Sequence, residues 1–269
     1  MTFPIDHDLH IHSRLSTCSS DPEQTTAALL QYSKGNGFSD LCLTDHLWDS
    51  AVPGASEWYR PQSIEHVRQS LPLPQDDRVR FHFGCETELD RHLTLALAPE
   101  HFGLFDFIIV PTTHLHARGL TLSEEDADAP LSRRAELYVQ RLDAVLHMAL
   151  PFSKVGIAHL TCPLLAADHP HDHIDVLNMI GDDVFSELFS RAAQVGVGIE
   201  LNFPFERYEG QDLEDVLRPY RIAKERGCKF YFGSDAHHPK DLLPARARFA
   251  NTAKALSLSE NDRFFPFAK

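Results

Sequence analysis

The chain has little positive charge. Its 269 residues include 25 lysines and arginines against 39 aspartates and glutamates, which leaves a formal net charge of -14 with histidine neutral. Proteins that bind the nucleic-acid backbone carry the opposite sign, because lysine and arginine make most phosphate contacts. The deficit disfavours a nucleic-acid partner and favours a small substrate.

Long apolar runs and paired cysteines are also missing. No uninterrupted apolar stretch approaches the roughly 18 residues that suggest a membrane span, and the N-terminus lacks the basic start and apolar run of a signal peptide. The five cysteines are widely spaced and form no Cys-x-x-Cys pair, which disfavours a disulfide framework or a zinc knuckle. We therefore expect a cytoplasmic protein with no membrane partner, and no pattern specifies its oligomeric state.

What the chain does contain is an ordinary globular composition and much histidine. It is 43% hydrophobic and 24% charged, which suits a soluble protein with a sizeable core. No linker, low-complexity run or internal repeat divides it, so residues 1–269 are expected to form one domain. The 17 histidines raise the expectation of a metal site, because imidazole is the commonest protein ligand for transition metals.

Short apolar runs alternate with helical patterns along the whole chain. Seven runs are predicted strands that end in polar groups: 8–12, 40–46, 79–86, 105–114, 155–159, 198–202 and 229–237. Between them the sequence predicts helices over 21–37, 63–71, 132–150, 182–195 and 212–226, and a last one from Pro239 to the tail at 264–269. Asp21 is the predicted N-cap of the first helix, with Pro22 at its first position. Parallel strands with crossover helices close naturally into a right-handed α/β barrel, and about 250 residues suffice for one.

The segment Asp8-Leu9-His10-Ile11-His12 carries two histidines one residue apart. Side chains alternate along a strand, so His10 and His12 face the same side and can reach one point. If the strand ends at His12, that point is the C-terminal mouth of the barrel, where barrel enzymes keep their chemistry. Alone, the pair is equally compatible with an ordinary half-buried strand. A metal site is indicated only if the ends of later strands also carry metal-binding side chains.

Those later strand ends carry the same kinds of side chain. They are His46, Glu86, His114, His159, Asp235 and His237. Each is commonplace alone, as a loop histidine, a helix cap or an ion-pair partner, but a barrel has no structural need for the whole set in register. The set exceeds what one four-coordinate ion can use and suits zinc, manganese or iron, so we expect two or three divalent ions. A carboxylate such as Glu86 can bridge two ions, the arrangement that hydrolyses phosphoesters.

The loops at the predicted mouth supply further candidates. Residues 47–77, with Trp48, Trp58 and Tyr59, are expected to cover the mouth, and the acid-rich loop 117–131 to form a surface or lid. The His-rich segment 168–173 is expected to be a solvated turn rather than a metal site. Candidate phosphate-binding residues, each equally ordinary as a surface cation, are Arg14, Arg60, Arg118 and Lys240.

Seven short motifs, taken in order, resemble the successive motifs of the PHP family, the polymerase and histidinol phosphatase domain. They are Asp-Leu-His-Ile-His at 8–12, Leu-Thr-Asp-His at 43–46, Gly-Cys-Glu at 84–86, Thr-His at 113–114, Ala-His at 158–159, Ile-Glu-Leu-Asn at 199–202 and Gly-Ser-Asp-Ala-His at 233–237. The resemblance spans essentially the whole chain. It implies a distorted (β/α)7 TIM-like barrel with a trinuclear metal site.

The resemblance also implies a distribution of ligands. One ion would be held by His10, His12, Glu86 and Asp235, a second by Glu86, His114 and His159, and a third by His46, His237 and one further ligand. The family usually has a histidine or aspartate for that last ligand, at the place where this chain has Cys18. Cys18 or Asp21 would supply it, or the third ion would be weakly bound or absent, and Cys18 would then be an ordinary loop residue.

The leading hypothesis is a metal-dependent phosphoesterase that hydrolyses a small phosphorylated metabolite with a metal-activated water, as in a stand-alone histidinol-phosphatase-like member of that family. The candidate catalytic residues are His237, Asp235 and His46, and His237 or His46 would assist the leaving oxygen. One alternative is a non-catalytic or regulatory metal-binding barrel, which has little reason to keep so many converging ligands. The other is a nuclease acting on short oligonucleotides, which the acidic composition disfavours.

Overall fold

The structure is a computed structural model that describes residues 2–19, 21–202, 204 and 207–267. Its strands are short and mostly buried: β1 His7–Ile11, β2 Asp40–Leu43, β3 Arg80–Phe83, β4 Cys85–Glu86, β5 Ile108–Pro111, β6 Val155–Ala158, β7 Gly198–Leu201 and β8 Lys229–Phe232. Its α-helices are α1 Thr26–Asn36, α2 Ile64–Val67, α3 Leu131–His147, α4 Asp172–Asn178, α5 Asp182–Val195, α6 Gly210–Glu225, α7 Pro239–Leu242 and α8 Ala245–Ala255. No helix of the described ranges is both long enough and apolar enough to span a membrane.

All strand pairs are parallel, in the sheets β1-β2-β3 and β4-β5-β6-β7-β8. The predicted third strand is interrupted at Gly84: residues 80–83 pair with β2, and Cys85 and Glu86 pair with β5. A Cβ on Gly84 would lie 2.6 Å from the carbonyl oxygen of Phe107 and 2.8 Å from Sγ of Cys42. Only glycine allows this close backbone approach. The prediction of an α/β fold with parallel strands is confirmed.

The core has a large part between strands and helices and a smaller part among the strands. Buried strands with both faces covered are expected to be apolar throughout, as in the Ile-Ile-Val of β5. The smaller cluster takes residues from several strands and from the C-terminal segment: Leu9, Cys42, Phe107, Ile109, Ala158, Tyr231 and Phe264. Phe264 is therefore part of the core, although the sequence placed it in a tail.

The first helix begins later than predicted. Its N-cap is Thr25, whose side chain accepts a hydrogen bond from the amide of Ala28. The side chain of Asp21 instead accepts from the amide of Glu23 at 2.9 Å, in a turn that precedes the helix. The predicted N-cap role of Asp21 is wrong, because a local Asx turn competes with the helix for the same side chain. The predicted end is confirmed, since Gly37 adopts the left-handed C-cap conformation with φ 68°.

Two further predictions need correction. The single helix expected after Pro239 is two helices, α7 and α8. The histidine-rich segment is not simply a solvated turn, because His173 lies in α4, is buried, and has Nε2 3.0 Å from the hydroxyl of Tyr208. Helix α5 spans the predicted residues, and α3 agrees with its prediction to within three residues at either end.

Candidate metal centre

The carboxyl ends of the strands bring histidines and carboxylates to one place. They are His10 and His12 at β1, His46 after β2, Glu86 on β4, His159 after β6, and Asp235 and His237 after β8. Asp235 and His237 are half-buried and the others are buried. Residues up to 225 positions apart in the sequence, such as His10 and Asp235, are therefore neighbours in space. This proximity was expected for side chains at the carboxyl ends of parallel strands.

Glu86 lies at the centre of this cluster. Its Oε2 is 3.4 Å from Nε2 of His10, 3.4 Å from Nε2 of His12 and 2.9 Å from Nδ1 of His46. Its Oε1 is 3.1 Å from Nε2 of His159. One carboxylate therefore faces four imidazoles, a geometry suited to a ligand that bridges ions.

Asp235 also faces imidazoles of this cluster. Its Oδ1 is 3.1 Å from Nε2 of His12 and 3.3 Å from Nε2 of His10, and these two nitrogens are 3.1 Å apart. The ligand atoms fall into two groups, within each of which all lie within 4.8 Å of one another: His10, Glu86, His159 and Asp235, and His12, His46 and His237. These described residues could hold at least two ions.

Several imidazoles have one nitrogen occupied by a supporting group, which leaves the other for the cluster. Nδ1 of His10 lies 2.6 Å from Oε1 of Glu200, and Nδ1 of His237 lies 2.8 Å from the carbonyl oxygen of Asp235. Both partners accept hydrogen bonds, so Nδ1 carries a proton, and in the neutral ring Nε2 is the nitrogen left to bind a metal ion. Metal-binding histidines are held in this way by carboxylates and carbonyls.

His12 is fixed by a short relay. The hydroxyl of Ser16 donates to Oδ1 of Asp45 at 2.8 Å, so its oxygen is free to accept from Nδ1 of His12 at 3.0 Å. The same oxygen accepts from the backbone amide of His46 at 3.0 Å. The relay leaves Nε2 of His12 as a ligand atom and holds two histidines of one group in register.

Two buried atoms at the centre lack a hydrogen bond. Nδ1 of His46 and Oε2 of Glu86 are 2.9 Å apart, yet their orientation excludes a hydrogen bond and neither has another partner among the described residues. Buried polar atoms are nearly always satisfied, because an unsatisfied one costs about 1–3 kcal/mol. A cation bound by both atoms would satisfy them, so the donor set fits a divalent transition-metal ion.

The electrostatics of the cluster also favour a cation. Burial lowers the pKa of His10, but the carboxylates of Glu200, Asp235 and Glu86 raise it well above its usual value. Burial likewise lowers the pKa of His46, and the Glu86 charge raises it well above its usual value. Burial raises the pKa of Glu86, yet His46 and His10 lower it well below its usual value. The carboxylates therefore create a negative potential that a divalent ion can neutralise.

Two of the converging residues have a strained backbone. His159 has φ 61° and Asp235 has φ 53°, in the left-handed region that residues other than glycine rarely adopt. Such conformations cost of order 1–3 kcal/mol and concentrate at functional sites. Asp235 is held in place partly by its amide, which donates to the carbonyl oxygen of His10 at 2.8 Å.

Sequence reasoning included Glu200 and Asn202 in the motif at 199–202 and gave them no role. Besides its bond with His10, Glu200 accepts from the backbone amide of His159 at 3.2 Å, and the amide group of Asn202 lies 2.8 Å from Nδ1 of His159. Both residues lie at or just after the end of β7. The strand-end rule applied to the other sites would have found them.

His114 lies beside the cluster but outside both groups. Its Nδ1 is 2.9 Å from Oε2 of Glu88, and its ring stacks on His159 with centroids 5.2 Å apart. Glu88 also accepts from the hydroxyl of Tyr59 at 3.0 Å, and Nη2 of the buried Arg141 is 3.7 Å from its other oxygen. Sequence reasoning missed Glu88, although it lies two residues beyond Glu86.

Cys18, the departure from the family pattern, is exposed at the rim beside His46 and His237. Partial desolvation raises the pKa of its thiol, but the neighbouring imidazoles of His237 and His46 lower the pKa to about 7. Asp21, the alternative ligand, has Oδ2 4.0 Å from Nδ1 of His238, outside the cluster.

A cavity of about 380 Å³ opens onto the cluster. Its described lining contains no arginine or lysine: Cys18, His46, Ser56, Trp58, Tyr59, Glu86, Glu88, His114, His116, Ala117, Leu120, His159, Cys162, Leu164, Asp235 and His237. Trp58 and Tyr59 come from the loop predicted to cover the mouth. The basic residues predicted to line the mouth are all exposed and lie outside this lining: Arg14, Arg60, Arg118 and Lys240.

The fold and the cluster define a class: an α/β protein with parallel sheets and a candidate metal centre at the strand ends. No family model matches the chain. Over 262 residues, 93% of this chain and 92% of the relative, it is 26% identical to a Deinococcus radiodurans protein described as a probable histidinol-phosphatase.

A solved structure has the same fold over nearly the whole chain. It is the crystal structure of histidinol phosphate phosphatase from Lactococcus lactis, complexed with zinc, L-histidinol and phosphate. The TM-score is 0.60 at 15% identity, with 94% of each chain covered. The similarity to these two proteins therefore extends over the full fold and is not limited to a shared motif.

Proposed function

We propose that the protein is a metal-dependent phosphoesterase that hydrolyses a small phosphate monoester. The observation that carries the proposal is the position of Glu86, whose carboxylate faces four buried imidazoles and has one oxygen with no hydrogen-bond partner among the described residues. The relative described as a probable histidinol-phosphatase and the phosphatase crystal structure support this activity, and histidinol phosphate is the first substrate to test.

The proposal includes one distorted (β/α)7 barrel of the PHP type that spans residues 1–269. Two junctions between the sheets support it. Residues 80–86 pair with β2 at one end and with β5 at the other. After β8, the amide of Asp235 donates to the carbonyl oxygen of His10 at 2.8 Å, and the amide of His12 donates to the carbonyl oxygen of Ala236 at 3.1 Å.

We assign two or three ions of zinc, manganese or iron to the cluster. His10, Glu86, His159 and Asp235 would hold one, and His12, His46 and His237 another, with His114 and Cys18 beside them. When bound, such ions supply Lewis-acid polarisation of the phosphoryl oxygens and a water of lowered pKa.

The chain's own residues orient the ligands and deliver a proton. Glu200 and Ser16 fix the imidazoles of His10 and His12. His237 and His46 line the cavity, and whichever of the two is not bound to an ion would, in its protonated form, donate to the leaving alcohol oxygen. Since no arginine or lysine is among the described lining residues, phosphate charge would be neutralised mainly at the ions.

The cavity favours a small molecule over a polymer. A volume of about 380 Å³ suits a metabolite, and Trp58 and Tyr59 provide an aromatic wall for its organic part. The net charge of -14 repels a nucleic-acid backbone.

The test is a screen of phosphorylated metabolites, histidinol phosphate included, with zinc-, manganese- and iron-loaded protein. Phosphate release that disappears on chelation and returns on reloading is expected. A generic aryl phosphate and short oligonucleotides belong in the same screen. Bound metal without turnover of any ester would indicate the non-catalytic alternative, and cleavage of oligonucleotides alone would indicate the nuclease.

A further inference from the structure

The two groups of candidate ligands differ in their chemistry. One contains two imidazoles and two carboxylates, from His10, His159, Glu86 and Asp235. The other contains only imidazoles, from His12, His46 and His237. Cys18 brings a thiol next to the second group, because it lines the same cavity as His46 and His237.

The imidazoles of the second group are arranged as ligands independently of Cys18. His12 and His237 stack with ring centroids 4.1 Å apart and an interplanar angle of 19°, and both have Nδ1 held by an oxygen. His46 is buried, and its Nδ1 has no hydrogen-bond partner among the residues described. The thiol lies beside a set of nitrogen donors whose neighbouring carboxylates, Glu86 and Asp235, belong to the other group.

We infer that Cys18 binds as a thiolate at the His12, His46 and His237 end of the cluster and makes that end selective for a thiophilic divalent ion. Zinc binds imidazole nitrogen and thiolate sulfur together in four-coordinate sites, with a Zn–S bond of about 2.3 Å. Manganese and magnesium prefer oxygen donors. The inference rests on the metal-binding part of the proposed function and adds a preference to one of its sites.

Cobalt substitution tests the inference without measuring activity. Protein loaded with Co²⁺ is expected to show the near-ultraviolet absorption of a thiolate bound to cobalt. Cys18→Ser should remove that absorption and reduce the bound cobalt by one ion per chain. Because Cys18 is exposed, the substitution should leave the fold intact, as a thermal melt can verify.

Cys162→Ser is the matched control. Cys162 lines the same cavity, but its Sγ accepts a hydrogen bond from the amide of Leu164 at 3.4 Å. The cobalt spectrum of this variant is expected to match that of the wild type. A thiolate band that survives Cys18→Ser, or that is lost only in Cys162→Ser, overturns the inference.

A second variant tests the selectivity. Cys18→Asp replaces the sulfur by oxygen and is expected to raise the ratio of manganese to zinc bound when both are offered. An unchanged ratio contradicts the inference. If cobalt binds to the wild type without a thiolate band, this inference is wrong and the proposed function is unaffected. If the protein binds no divalent ion, both the inference and the proposed function are wrong.

Discussion

Nδ1 of His10 lies 2.6 Å from Oε1 of Glu200, and both side chains are fully buried. The carboxylate fixes the ring so that Nε2 points at His12, Asp235 and Glu86. Glu200 therefore acts through His10 and does not belong to either ligand group.

Removing this support should weaken metal binding. Glu200→Ala is expected to lower the affinity for a divalent ion by about 10–100-fold, the usual effect of losing an outer-shell partner. Glu200→Gln keeps the shape of the side chain and an oxygen acceptor, so the loss of metal affinity should be smaller. Competition with a chelator measures both, and Glu187→Gln on the exposed surface of α5 is the control. Wild-type affinity in Glu200→Ala would show that His10 needs no such partner.

The space beside Glu200 and His10 admits only glycine. A Cβ on Gly233 would overlap Oε1 of Glu200 and lie 2.5 Å from Cβ of His10. Gly233→Ala is expected to destabilise the fold by about 1–3 kcal/mol, as overpacking does, and also to weaken metal binding. Urea denaturation and chelator competition measure the two effects.

Gly35→Ala provides the contrast for that experiment. Gly35 lies inside α1, and a Cβ there would meet nothing within 4 Å. The substitution is expected to stabilise the protein by about 0.5–1 kcal/mol, because alanine favours a helix over glycine. Equal effects of the two substitutions would contradict the claim that the crowding at Gly233 is specific.

Stability should fall in acid because of Asp40. Burial raises the pKa of Asp40, but hydrogen bonds from His82, Arg80 and Ser39 together have the larger effect and lower the pKa to about 2. The folded-state pKa is below the unfolded value of 3.8, so the stabilisation is present above that value and is lost as the pH falls towards 2. The stabilisation by ionised Asp40 amounts to about 2 kcal/mol at neutral pH.

Asp40→Asn isolates this contribution. The variant should be less stable than the wild type at neutral pH, and urea denaturation should show the difference shrinking between about pH 4 and pH 2. If the difference in stability between the variant and the wild type does not change over this range, Asp40 does not cause the loss of stability in acid.

The ligands themselves should be indispensable. His12→Ala removes a nitrogen from the cluster, and Asp235→Asn removes a charge while keeping a residue type that tolerates its φ of 53°. Both are expected to abolish metal retention and phosphate release, as elemental analysis and a phosphate assay would show. Wild-type activity after either change would contradict the assigned site.

The sequence predicted the strand ends because each buried strand is a short apolar run followed by polar side chains. This periodicity placed His10, His46, Glu86 and His159 together without any structure. Helix α5 agrees with its predicted range over its full length, and glycines lie directly before and after it.

Other features depend on contacts that local patterns do not encode. Asp21 looked like a helix cap, but its local turn with Glu23 was equally available to it. Burial of His173 in α4 depends on tertiary packing, and so does the position of Phe264 in the core. Glu88 and Glu200 were missed because the prediction looked for ligands and not for the groups that hold them.

The most direct test measures metal content and phosphate release in the same samples of native, chelated and reloaded protein, for the wild type and for Glu86→Gln. We predict at least two divalent ions per wild-type chain, one for each group of ligands, with phosphate release that disappears on chelation and returns on reloading. Glu86→Gln should lose both properties. Phosphate release by metal-free protein, or full metal content in Glu86→Gln, would contradict the account.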